Sequence, residues 1–452
     1  MNPTQLNSDN FLPRFSKLAL TNTLSNIMIP LSGLVSVAFL GHLTEIRHLA
    51  GVAVATVLFT YLYRLLHFLR MGTTGITAQA VGRDDREALL LVGWRNGLIA
   101  LVLGIAIVLL QYPLEKIWFF LLDAPEDVKT SGIAYFNARI WGAPAVALNL
   151  VAIGWLLGKE MSGKVLIMTI VGNVSNIIFD YFSIMQWGWG SMGAGLSACL
   201  SQYLTLSIGL FFIGQDVHFE EIQQLSDRFW QWSGFKTVFS VNRDTFIKIL
   251  SNRASLVIFT NISAGIGTQV LAGNALIIEL FLFTISFIEG FGLAAETLAG
   301  TFLGQEKSDR LPFLAVFSVS TGVFFALLFS GISNIFPETV FGILTNHFEV
   351  INELKKYAIW LIPLLVFNAI AFMFDGYFIG LSNTAIVRNS ALLGLTIGFL
   401  PILIPAWLYG DNHILWLSLV AFMIVRTIYV SFEFIRATPN FGFLGLKTQD
   451  KV

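Results

Sequence analysis

Charge is scarce in this chain and cysteine nearly absent. Of 452 residues only 12% are Asp, Glu, Lys or Arg, against about a quarter in an ordinary soluble domain, which speaks against a soluble fold. The single cysteine, Cys199, rules out an internal disulfide. His42, His48, His218, His347 and His413 fall in expected loops or at helix ends, without the spacing of a metal site. A net charge of −1 with no basic concentration leaves nucleic acid without a counterion-displacing face. No nucleophile–base pairing or phosphate-cradling loop is present to suggest an enzyme, and no cofactor is implied. The opening "MNPTQLNSDNFLPRFSK" lacks a secretory h-region with a cleavage site, and it lacks the Arg-rich character of a transit peptide. The first apolar stretch is therefore expected to remain in the mature protein.

Hydrophobic residues, by contrast, make up 55% of the chain, and the mean hydropathy is +0.73. Twelve apolar stretches reach the roughly 18 residues that span a hydrocarbon core about 30 Å thick as helices. Their expected spans are 15–41, 49–71, 93–111, 131–157, 164–186, 192–214, 246–268, 273–302, 312–335, 352–381, 388–410 and 412–435. The expected fold class is an all-α integral membrane protein. With both termini placed on one side, that side's terminal segments and loops carry 17 of the 27 basic residues and the opposite loops 5. The positive-inside rule then predicts cytoplasmic termini.

A shift of 222 residues superposes the two halves of the sequence without a gap. "LAGVAVATVLF" at 49 meets "LAGNALIIELF" at 271, and Gly82, Gly154, Gly158 and Gly172 meet Gly304, Gly376, Gly380 and Gly394. The predicted organisation is a tail (1–14), a six-helix lobe (15–214), a linker (215–243), a second six-helix lobe (244–435) and a tail (436–452). The linker's aromatic and acidic mixture suggests a short interfacial helix. Paired six-helix repeats suit a transporter whose lobes rock around a midplane site.

Ionisable groups inside such spans are costly and invite a functional reading. Helix 5 holds Asp180, with Asn173 and Asn176 seven and four residues earlier on the same side. Helix 8 holds Glu279, Glu289 and Glu296, the last two sharing a face, and helix 10 holds Asp375. Carboxylates gathered in one cavity repel unless a proton or metal cation neutralises them, which is the chemistry of a proton- or sodium-coupled carrier. Glu296 has an alternative reading as an interfacial residue or a partner of Arg388. On helix 2, Arg64, His67 and Arg70 recur every three residues, lining a cavity or snorkelling at the helix end. Arg139, Arg253 and Arg426 are isolated charges and read most simply as packing or helix-end residues.

These pieces together resemble the multidrug and toxic compound extrusion (MATE) transporters, in their DinF-like branch. The resemblance runs from about residue 15 to 435 and rests on "LSGLVSVAFLGHL", "FLRMGTTGITAQAVGRDD", "NIIFDYF" with "GAGLSACLSQY", "IEGFGLAAETLAGTFLGQ" and "FDGYFIGLSNTAIVRNS". It implies twelve transmembrane helices in two six-helix lobes related by a pseudo-two-fold axis, in a plasma or bacterial inner membrane. It also implies antiport of organic, often cationic, small molecules against H+ or Na+, and a monomer is expected. Asp180 matches the family's helix 5 acid and Asn176 its companion, while Ser36 stands where the family commonly has an acid on helix 1. Glu289 and Glu296 match the paired acids of helix 8, and Asp375 the aspartate of helix 10. The competing expectation is a lipid-linked oligosaccharide flippase, which would need basic residues facing its cavity. A major-facilitator carrier fits less well, because "GRDDREA" spaces its glycine and charges differently from that family's loop signature.

Overall fold

The computed structural model describes residues 11–122, 124–343 and 348–438, and the description below is confined to them. Most of both expected tails lies outside these residues, as do His347, Lys447 and Lys451. Among the described residues the chain is helical and contains no strand. Eleven helices are long and apolar enough to cross a membrane: helix 1 (Phe11–Gly41), helix 2 (Ile46–Gly82), helix 3 (Arg86–Leu109), helix 4 (Glu126–Gly158), helix 5 (Ser162–Gln186), helix 6 (Gly190–Gly214), helix 8 (Thr268–Gly304), helix 9 (Ser308–Ile335), helix 10 (Ala358–Gly380), helix 11 (Thr384–Tyr409) and helix 12 (Asn412–Ala437). Helix 7 (Trp232–Ile266) completes the twelve; at 35 residues it is long enough but carries Lys236, Arg243, Asp244, Lys248 and Arg253. It begins well before the expected 246, because hydropathy registers those charges whereas the backbone ladder does not. Much of the intervening polar stretch is also helical, at Phe219–Gln224 and Ser226–Phe229.

The 222-residue register reappears in the helix bounds. Helices 2 and 8 begin and end 222 residues apart, helices 4 and 10 end 222 apart, and helices 5 and 6 begin 222 before helices 11 and 12. Left-handed backbone positions follow the same register: Asp84 (φ 54°) with Glu306 (59°), Glu160 (58°) with Ser382 (57°), and Gly188 (66°) with Gly410 (63°). The first four close helices 2, 8, 4 and 10. Each is followed by an amide that bonds back five residues, as in Asp85 N to Ala80 O (2.9 Å) and Lys307 N to Phe302 O (2.9 Å), satisfying carbonyls that a helix end would otherwise orphan.

The chain divides into two compact units, Leu24–Asn242 and Arg243–Val452 with Met1–Thr23. The cut thus passes through helices 1 and 7, at points three residues apart in the repeat register. Within the N-terminal unit the start of helix 7 lies on helices 2 and 3: a Cβ on Gly72 would stand 2.2 Å from Asn242 Oδ1, and Asn242 Nδ2 donates to Asn96 Oδ1 at 3.0 Å. Within the C-terminal unit the start of helix 1 lies on helix 8. There a Cβ on Gly290 would stand 2.6 Å from the Thr23 amide, and Thr23 Oγ1 donates to Phe287 O at 3.1 Å.

One very close crossing recurs in both units. Added Cβ atoms on Gly154 and Gly158 of helix 4 would meet the carbonyls of Arg70 and Thr74 at 2.6 and 2.8 Å. On helix 10, Gly376 and Gly380 meet the carbonyls of Gly292 and Glu296 at 2.4 and 2.2 Å. All four pairs keep the 222 shift, so the shared glycines are small-residue packing sites that let backbones touch.

The polar segment after helix 6 is held to the N-terminal unit by ions. Arg86 donates Nε and Nη2 to the two oxygens of Glu221, each at 2.8 Å, and Nη1 to Asp216 Oδ2 at 3.0 Å; Lys159 also pairs with Asp216. The Arg86 hydrogen bonds, with the His218 amide, hold the Glu221 carboxyl down at about 2. Burial pushes Asp216 up, but Lys159 and Arg86 outweigh it and leave its carboxyl below the usual range. Both folded values lie below the unfolded ones, so this attachment is complete above about pH 4.5 and weakens as pH falls towards 2. Hydrogen exchange in residues 216–224, corrected for its intrinsic pH dependence, is expected to quicken between pH 5 and pH 3. Arg86→Gln should show the faster exchange already at pH 7.

Candidate functional site

In the C-terminal unit helix 7 presents Asp244, Lys248 and Asn252 at four-residue intervals, hence as one stripe on one face. Each rung meets a different helix. Asp244 Oδ1 accepts from Arg388 Nη1 of helix 11 at 2.9 Å and from the neighbouring Arg243, while its Oδ2 accepts, among the described residues, only from the Thr384 hydroxyl, at 3.4 Å. Lys248 Nζ lies 3.0 Å from Asp375 Oδ2 on helix 10. Asn252 Oδ1 accepts from Arg426 Nη1 of helix 12 at 3.1 Å. The ladder closes through Arg426, whose Nη2 donates to Asp375 Oδ2 at 2.6 Å.

Asp375, Lys248 and Arg426 are 1, 2 and 2% exposed, so two cations and one carboxylate are buried together. Both cations converge on Oδ2, and Asp375 Oδ1 has no hydrogen-bond partner among the described residues. Position 375 is turned about 100° from Gly376, so the glycine face packs on helix 8 and the carboxylate turns to helices 7 and 12. The aspartate expected to join the helix 8 acids is thus met by bases instead.

Those acids are graded along helix 8. Glu279 is exposed, Glu289 half-buried and Glu296 buried, its carbonyl beneath Gly380. Arg388, the alternative partner of Glu296, is bonded to Asp244 and Asn389.

The N-terminal unit holds one buried carboxylate at the expected place. Ser36 Oγ donates to Asp180 Oδ2 at 2.5 Å, and Asp180 Oδ1 has no hydrogen-bond partner among the described residues. One turn away Ser32 Oγ donates to Asn173 Oδ1 at 2.7 Å, and Asn176 is half-buried on the same helix. Helix 5 widens into a π-helix at Tyr181–Gln186, directly after Asp180, a distortion that often marks functional positions. A second π-helix, Gly394–Phe399, begins where a Cβ would stand 2.7 Å from Arg426 Cγ.

Several basic residues depart from the sequence reading. Arg426 is no isolated packing residue, and Lys248, counted with the loops, is buried; in each case the partner lies on another helix and no local pattern reveals it. The stripe of Arg64, His67 and Arg70 is broken by a turn at Leu66–His67, which leaves Arg64 and His67 half-buried and Arg70 buried. Arg139 lies against aromatic rings, its guanidinium 4.7 Å from the Phe59 centroid and 5.4 Å from that of Tyr135.

The MatE family pattern matches the chain twice, at residues 23–182 and 245–404, the same 222 residues apart and together 320 of 452 positions. The DNA damage-inducible protein F of Escherichia coli (strain K12) is 32% identical over 410 residues, covering 90% of this chain and 89% of that protein. A probable multidrug resistance protein NorM of Thermotoga maritima is 26% identical over 425 residues, covering 91% and 89%. Among solved structures, MATE in the bent conformation superposes with a TM-score of 0.85 at 17% identity over 94% of this chain and 95% of the other. A MOP superfamily transporter from Pyrococcus furiosus gives 0.84 at 17% identity over 94% and 95%, a likeness of fold. The doubled family match, the shared register of the two units and the one-third identity to a full-length relative lead to one conclusion: the chain belongs to the MatE family, whose members are membrane transporters and not enzymes.

Proposed function

We propose that the chain is a secondary antiporter of an inner (plasma) membrane, with cytoplasmic termini and acting as a monomer. It exports organic, drug-like cations or metabolites in exchange for H+ or Na+, by alternating access of its two units. Asp375 carries the coupling together with Glu289 and Glu296, and Asp180 has the secondary part. The observation that carries this reading is the pair of buried carboxylates, Asp180 and Asp375, each keeping one oxygen without a hydrogen-bond partner among the described residues, as an ion-exchanging group requires. An ionisable group inside a membrane-spanning helix is costly and invites a functional reading. Further support comes from the multidrug resistance name of the Thermotoga maritima relative. No cofactor is involved beyond the coupling ion.

Buried Lys248 and Arg426, with half-buried Arg388, favour the flippase alternative, since a lipid-linked pyrophosphate needs cations. Each of them, however, already faces a carboxylate. Proteoliposomes given a pH gradient and a Na+ gradient separately test the two readings, with a labelled organic cation and a labelled lipid-linked sugar as cargo. Uptake of the cation should follow one gradient and cease with the matching ionophore. Sugar flux without any cation flux would replace the antiporter with the flippase.

A further inference from the structure

We propose that Lys248 is a tethered competitor for Asp375: it holds the carboxylate while the coupling cation is absent, and moves one turn back to Asp244 when that cation binds. The inference rests on the antiport reading above and adds to it the device that reports cation binding to helix 7.

Four observations support it. First, Asp375 is oversupplied, with Arg426 at 2.6 Å and Lys248 at 3.0 Å on the same oxygen, so removing one of them leaves a complete pair. Second, the two bases are not equally fixed. Arg426 is also bonded to Asn252, lies against the Phe422 ring at 5.6 Å and is packed under Gly394. Among the described residues Lys248 has Asp375 as its one hydrogen-bonding or ionic partner, and it also lies over the face of Phe372, at 5.3 Å. Its four-carbon stem makes it the mobile member.

Third, a second seat is within reach. Asp244 precedes Lys248 by four residues, the spacing and order in which an acid and a lysine pair on a helix, and its Oδ2 is held only by Thr384 at 3.4 Å. Fourth, the exchange conserves buried charge. One cation replaces another at Asp375, and the charge brought to Asp244 is offset when half-exposed Arg243 swings away from Oδ1, leaving Arg388 in place. The groups facing Lys248 are thus Asp375 on helix 10, Arg426 on helix 12 and Asp244 on its own helix, the last with Arg388 and Arg243. In the 222 register Lys248, Asp244, Asp375 and Arg426 correspond to Asn26, Asn22, Ile153 and Leu204, so the device belongs to the C-terminal unit alone.

The test reads two variants of opposite expected sign. The purified full chain is titrated with Na+ at fixed pH and with H+ at fixed Na+, following intrinsic tryptophan fluorescence and Tm, which needs no transport. Lys248→Gln removes the competitor, so the midpoint cation concentration should fall by about five- to tenfold, while the maximal export rate falls because helix 7 no longer responds. Asp244→Asn removes the second seat and keeps Lys248 on Asp375, so the midpoint should rise by a similar factor. Lys248→Arg keeps a competing cation and should stay at or above the wild-type midpoint. Shifts of the same sign, unchanged midpoints, or a wild-type chain without any cation response would overturn the switch. Opposite shifts in a chain that exports nothing under either gradient would uphold the switch and overturn the antiport reading.

Discussion

Asp375→Asn is expected to destabilise the C-terminal unit by about 3–5 kcal/mol, because it leaves Lys248 and Arg426 buried with no anion. For a unit of this size that is a fall in Tm of roughly 10 °C. The decisive comparison is with the fully neutral site. In Asp375→Leu/Lys248→Met/Arg426→Met the charges and their desolvation penalty disappear together, and buried triads replaced in this way commonly lose nothing or gain stability. Tm in detergent should therefore be lowest for Asp375→Asn, intermediate for Asp375→Asn/Lys248→Gln and near wild type for the triple variant. An Asp375→Asn protein as stable as wild type would show that the carboxylate does not neutralise its neighbours. The expectation also changes how transport data are read: loss of efflux in Asp375→Asn alone does not separate ion exchange from unfolding, whereas Asp375→Glu retains the charge and does.

Gly380→Val is expected to prevent accumulation of folded protein, and Gly158→Val to do the same from the other unit. A Cβ at 380 would stand 2.2 Å from the Glu296 carbonyl, and at 158 it would stand 2.8 Å from that of Thr74. Backbone atoms cannot rotate out of the way as a side-chain tip can, so the helices must part and lose dispersion contacts along the whole crossing. Overpacking costs about 1–3 kcal/mol where side chains can yield, and more is expected here. Gly97→Ala and Gly331→Ala are the controls: nothing lies within 4 Å of either added Cβ, and each should leave stability unchanged or raise it by about 0.5–1 kcal/mol. Yield and size-exclusion profile would decide. A monodisperse Gly380→Val protein would mean that helices 8 and 10 do not cross as described.

The repeat explains why so much was legible in the sequence. Glycines held 222 apart marked a shared frame, and the structure places two of those pairs, Gly154 with Gly376 and Gly158 with Gly380, on carbonyls in the same register. Asp180 was legible as a charge within its span and Ser36 through the family resemblance, and they meet at 2.5 Å. Helix 7 was misjudged at its start because Lys236, Arg243 and Asp244, all ahead of residue 246, read as a loop by hydropathy, while Asp244, Lys248 and Asn252 form one stripe. That stripe is buried against three other helices, where each polar group finds a partner.

The sequence by itself determined the solvent, the number of helices, the duplication and the family, since these depend on composition, span length and local pattern. Tertiary structure decided the charge state of the site. Lys248, Asp375 and Arg426 lie on three helices with 127 and 51 residues between successive members, a separation across which no helical periodicity operates. Whether an intramembrane acid faces other acids or two bases is fixed by which helices pack together, and that is set by the glycine crossings and the path of helix 7. For this reason Asp375, conspicuous as a charge in an apolar run, became interpretable only once its counter-ions were in place.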